Sequence, residues 1–138
     1  MTCTTRLAAT ALLAGAIAAP SAACGGSSSP STGPSTGGTC TASSTSTTIT
    51  ISNNTVCPQN ITVPRGTQVT FVNNDSITHE MTSDPHPEHN DCPEINQVGN
   101  LVPGQTRQTG NLNTARTCGF HDHIAFNVKT LQGSITIQ

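Results

Sequence analysis

"VPRGTQVTFVNND", residues 63–75, decides the fold. In its middle Val69 and Phe71 fall on one side of an extended chain, with Gln68, Thr70 and Val72 on the other. That period of two belongs to a half-buried strand. Its two ends are turns. "PRG" at 64–66 makes a proline corner followed by a free glycine, and "NND" at 73–75 supplies residues that tolerate left-handed backbone.

The same alternation recurs on both sides. "TTITIS" (47–52) sets Ile49 and Ile51 on one face, "NITV" (60–63) does so with Ile61 and Val63, and "GSITIQ" (133–138) closes the chain with Ile135 and Ile137. Further strands are expected over Thr78–Ser83, around Arg107–Leu112 and around Ala115–Phe120, with turns at "SNN" (52–54) and "LVPGQ" (101–105). Only "CPEIN" (92–96), inside the proline-rich loop "DPHPEHNDCPEIN" (84–96), offers a turn of helix, beginning at Pro93. Short strands at regular spacing without helices predict an all-β, antiparallel Greek-key sandwich. Tryptophan and tyrosine are absent and Phe71, Phe120 and Phe126 are the only phenylalanines, so the core must rest on Ile, Val and Leu.

The domain is expected to span residues 40–138. Before it, residues 1–23 read as an export signal: Arg6, the apolar run "LAATALLAGAIAA", then the small residues "PSAA". Residues 25–38 contain only Gly, Ser, Pro and Thr, the composition of a linker that cannot bury apolar area. Cys24 at its head resembles the lipidated cysteine of bacterial lipoproteins, although Ser21 departs from that pattern. The protein is thus expected outside the cytoplasm, either anchored through Cys24 or released by cleavage after Ala23. Without Arg6 the chain keeps four basic residues against seven acidic ones, a balance that speaks against nucleic acid as a partner. Six of the acids, Asp75, Glu80, Asp84, Glu88, Asp91 and Glu94, surround His79, His86 and His89; this stretch reads as a solvated loop rather than a metal site.

"RTCGFHDH" (116–123) concentrates Cys118, His121 and His123 in one short segment. Together with "VPRGTQVTFVNND", "THEM" (78–81) and the terminal "LQGSITI" (131–137), it resembles the cupredoxins, the blue-copper family of plastocyanin and azurin. The resemblance covers Thr47 to Gln138. It implies a cupredoxin-like sandwich that binds copper, and His79, Cys118 and His121 as trigonal ligands, with His123 close by. A thiolate and two imidazoles suit both cuprous and cupric copper, which fits one-electron transfer with a redox partner protein. The expected molecule is a monomer and not an enzyme.

Two features depart from the family. Leu131 and Gln132 stand before Gly133 where a methionine is usual, and the loop is long, with Phe120 to Thr130 intervening and an additional histidine, His123; Met81, two residues after His79, could offer a thioether but reads as core. Cysteine parity also matters: with Cys24 set aside, Cys40, Cys57, Cys92 and Cys118 can form two pairs, Cys40 with Cys57 and Cys92 with Cys118. The second pair would consume the thiolate. The alternative is then a non-blue module for copper carriage or sequestration, with His79, His121 and His123 as ligands and a copper donor or acceptor as partner. The ligand-loop spacing favours the thiolate; the parity favours the disulfide. "GFHDH" also resembles the "GFHxH" segment of copper-zinc superoxide dismutases, but no histidine follows His123 to complete such a site.

Overall fold

The computed structural model describes residues 40 and 42–138; the export signal, Cys24 and the linker lie outside the described residues. Nine strands follow in order: β1 (Thr48–Ser52), β2 (Thr55–Cys57), β3 (Asn60–Val63), β4 (Thr70–Asn73), β5 (His79–Ser83), β6 (Gly99–Leu101), β7 (Thr106–Gln108), β8 (Arg116–Asp122) and β9 (Gln132–Ile137). They form a four-stranded sheet, ordered β2-β1-β4-β7, and a five-stranded sheet, ordered β3-β9-β8-β5-β6. Short 3₁₀ turns occupy Ile95–Gln97 and Lys129–Leu131.

The sandwich is mixed rather than antiparallel throughout. β1 runs parallel to β4 and β3 runs parallel to β9, while the remaining pairs are antiparallel. Alternation identifies a half-buried strand but carries no information about its neighbour's direction, so this correction could come only from the paired chain. β2 and β6 were not expected. Each is three residues long, too short for a period to register.

The expected inward residues form the core. Ile49, Ile51, Val69 and Phe71 come from the four-stranded side, and Ile61, Val63, Met81, Ile135 and Ile137 from the five-stranded side; Leu101 and Phe120 join them without having been expected there. Phe71 meets Phe120 edge to face across the gap, with ring centroids 5.3 Å apart, a favourable aromatic geometry. This contact shows which face of β8 looks inward. Asn73, fully buried, donates from its side chain to the carbonyls of Ile77 and Leu101, each at 2.8 Å, and so fixes the segment that leads into His79.

Two disulfides pin the ends of this frame. Cys40 joins Cys57, and Cys92 joins Cys118, with Cα separations of 5.5 and 5.8 Å. The second ties the loop between β5 and β6 to the middle of β8.

Candidate metal centre

β8 is longer than the sequence suggested, running unbroken through Cys118, Phe120, His121 and Asp122. Side chains along an extended strand alternate between faces, so residues three apart point in opposite directions. Phe120 faces the core; Cys118 and Asp122 share its face, and His121 and Gly119 lie on the outer face of the sheet. This geometry overturns the expectation that Cys118 and His121 share one ion. Cys118 is moreover fully buried and bonded to Cys92, which leaves no thiolate.

His79 also departs from its expected role. It lies on β5 with its ring fully buried, facing inward like Met81 two residues later. Its Nδ1–H donates to Asp122 Oδ2 at 2.7 Å, while its Nε2 has no hydrogen-bond partner and stands 3.5 Å from Asp75 Oδ2. The other Asp122 oxygen accepts the backbone N–H groups of Glu80 and Ile124, both at 3.0 Å. The backbone N–H of Asn54 holds the Asp75 carboxyl below its usual range. His79 is therefore occupied by carboxylates inside the sandwich and is not a member of the histidine cluster.

That cluster lies on the outer face. His86, His89, His121 and His123 each offer a ring nitrogen, and the four nitrogens lie within 4.8 Å of one another. His86 is exposed, His89 and His123 are half-buried, and His121 is buried beneath the loop. The structure thus brings His121 and His123 together with two histidines that the sequence reading left in a solvated loop. The spacing "HPEH" (86–89) was the available signal, two histidines three apart in a stretch stiffened by prolines. They also lie upstream of "GFHDH" rather than downstream of it.

Local structure aims each ring. Asp84 crosses over β8 just where Gly119 has no side chain; a Cβ at Gly119 would collide with the Asp84 carboxylate. From there Asp84 Oδ1 accepts the Nδ1–H of His121 at 2.6 Å. A carboxylate on one imidazole nitrogen fixes the tautomer and leaves the other nitrogen as a ligand. His121 Nε2 is 3.4 Å from the Thr82 hydroxyl, its cross-strand neighbour. His86 stacks on Phe126, with centroids 4.2 Å apart and planes 3° from parallel. Asn96 donates to the carbonyl of His89 at 2.7 Å and accepts the backbone N–H of Ser83 at 2.8 Å. Held in this way, His89 keeps a left-handed backbone at φ 51°, a conformation uncommon outside glycine and asparagine.

The cluster suits a cation. Nitrogens around a first-row ion at about 2.0–2.1 Å stand about 3.4 Å apart in a tetrahedron, and His123 Nδ1 lies 3.2 Å from His89 Nε2. Burial, then the neighbouring His121, His123 and His86, push the His89 imidazole below its ordinary value. Its lone pair is thus free near neutral pH, the form a metal requires. The four ring nitrogens converge closely enough for a single ion to reach all of them.

Comparison with solved structures gives the fold. A copper-containing nitrite reductase from Thermus scotoductus shares 20% identity over 66% of this chain and 22% of its own, with a TM-score of 0.51. Plastocyanin from Dryopteris crassirhizoma shares 18% over 66% of this chain and 99% of its own, at 0.52. Amicyanin from Paracoccus versutus shares 12% over 66% and 79%, also at 0.52. The domain has the cupredoxin fold. No protein-family model and no curated protein matches the chain. Within this cupredoxin fold the donors gather on the outside of the five-stranded sheet, while the inward-facing His79 is bonded to Asp122.

Proposed function

We propose that this is an exported copper-binding protein which holds one cupric ion through His86, His89, His121 and His123. The observation that carries this reading is the convergence of four imidazole nitrogens within 4.8 Å, with neither thiolate nor carboxylate among them. Imidazole suits copper, zinc and nickel, and divalent affinities rise to a maximum at copper. Bound copper would supply a one-electron centre and a Lewis acid. The protein's own part is to hold the rings: Asp84 orients His121, Asn96 fixes the backbone of His89 and Phe126 supports His86. With Cys118 in a disulfide, copper carriage or sequestration is the use this reading gives the site. The export signal and the cysteine pairing support a place outside the cytoplasm, where disulfides persist. The partners on this reading are a copper donor and acceptor.

One-electron transfer is the second reading, supported by the likeness in fold to a copper-containing nitrite reductase and to plastocyanin. It requires that the bound ion exchange electrons reversibly with a partner protein.

Copper titration followed by visible and electron paramagnetic resonance spectroscopy tests the first reading. The expected result is one equivalent bound, a pale ligand-field spectrum, nitrogen hyperfine structure, and at least tenfold weaker binding in His89→Ala and in His121→Ala. Unchanged affinity in both variants, or an intense thiolate charge-transfer band, refutes it.

A further inference from the structure

The four imidazoles arrive on two separate segments. His86 and His89 lie in the loop between β5 and β6, and His121 and His123 lie at the end of β8. Several hydrogen bonds connect the segments. Asp84 bonds Gly119 through its backbone N–H and His121 through its carboxylate. Asp91 accepts the Gly119 N–H at 3.3 Å, and Glu94 pairs with Arg116 at 2.9 Å. The Asp84 side chain is about half exposed and the Arg116–Glu94 pair about a third, so water competes for these bonds. Only Cys92–Cys118 is covalent, and it falls three residues after His89 and three before His121. Both cysteines are fully buried. The left-handed backbone at His89, held by Asn96, thus lies three residues from this anchorage.

Resting on the four-imidazole reading, we propose that the Cys92–Cys118 disulfide is a clasp that sets the site's affinity, so that metal is held while the cysteines are oxidised and released when they are reduced. Reduction by a dithiol is a two-electron exchange. The reductant's two sulfurs join to each other, the Cys92–Cys118 bond breaks, and the two thiol protons pass to Cys92 and Cys118. The loop is then free to withdraw His86 and His89 from β8. Cys118 therefore serves the metal as a positioning residue from the opposite face of the sheet.

The other disulfide provides the control. Cys40–Cys57 lies outside the two ligand-bearing segments, with a sequence separation of 17 against 26 for the clasp. Cupric ion is titrated into the full chain, into Cys92→Ser/Cys118→Ser and into Cys40→Ser/Cys57→Ser, in competition with a chelator. The clasp variant should bind at least tenfold more weakly and the control variant within threefold of wild type. Wild-type affinity in the clasp variant, or an equal loss in both variants, overturns the proposal. Absence of copper binding in the wild type would instead sink the site itself.

A second measurement needs no variant. Binding and oxidation are linked reciprocally, so Zn²⁺, which the reductant cannot reduce, should protect the clasp. Wild type is equilibrated in a glutathione redox buffer with and without Zn²⁺, alkylated and mapped by mass. The equilibrium ratio of reduced to oxidised Cys92–Cys118 should fall about tenfold with Zn²⁺ while that of Cys40–Cys57 is unaffected. Equal ratios for Cys92–Cys118 with and without the ion overturn the clasp.

Discussion

Replacing Gly119 with alanine should damage the metal centre without touching a ligand. The three atoms nearest the added Cβ all belong to Asp84, and its carboxylate must leave. That side chain is 49% exposed and can swing into water, so the steric cost should lie near the low end of overpacking, about 1 kcal/mol. The larger effect falls on His121, which loses the 2.6 Å bond that fixes its tautomer. Loss of such a supporting carboxylate typically costs about 10- to 100-fold in metal affinity. The assay is chelator competition on wild type, Gly119→Ala, Asp84→Ala and the double variant. Once the carboxylate is gone only the Asp84 Cβ remains, 3.1 Å from the new methyl, so the double variant should bind about as well as Asp84→Ala alone. If the two losses multiply, or if Gly119→Ala binds as tightly as wild type, Asp84 is not the link and the reasoning fails.

His79→Ala should keep copper affinity within about threefold yet destabilise the domain by about 3–5 kcal/mol, because it leaves Asp122 buried without its partner; chemical denaturation beside the copper titration separates the two effects. The His89 imidazole sits below its ordinary 6.5 in the folded chain, so the unfolded chain takes up its proton more readily. The metal-free domain should hold this contribution above about pH 6.5 and lose it as the pH falls through the lower folded value; His89→Gln should flatten that part of the stability profile. Phe126→Ala removes a stacked ring that is 42% exposed, so copper affinity should fall severalfold while thermal stability changes by under about 1 kcal/mol. Mass spectrometry of the mature N-terminus checks export: a lipidated or free terminus at Cys24 is expected, and retention of residues 1–23 would refute it.

Legibility in the sequence followed the range of the interactions involved. Ile61, Val69, Phe71 and Ile135 are placed in the core by alternation alone, because a strand's faces are fixed within a few residues. Parity offers the two cysteine pairs only as one of two open readings, beside a Cys118 thiolate, and the fold decides between them. The metal centre was legible by half. His121 and His123 declare themselves by proximity, but the extent of β8 decides which way they point, and a strand ending at Phe120 would let His121 turn back toward Cys118. His86 and His89 become ligands only when the loop folds across β8, a contact that depends on Asp84 meeting the bare backbone of Gly119. Nothing in "GFHDH" reveals that Asp122 meets His79 from the neighbouring strand on the inner face.

The nesting of the clasp within the ligand set also bears on the denatured chain. Cys92 and Cys118 close a loop of sequence separation 26, and His89 and His121 stand just outside its knot. When the oxidised chain unfolds, those imidazoles cannot diffuse apart. They remain tethered within a few residues of one another, at an effective concentration on the order of millimolar. The unfolded protein is then itself a copper ligand, and binding to it subtracts from the stabilisation that the folded site confers. Saturating copper should therefore raise the melting temperature by less than the native affinity implies, and the oxidised chain should carry its ion through denaturation.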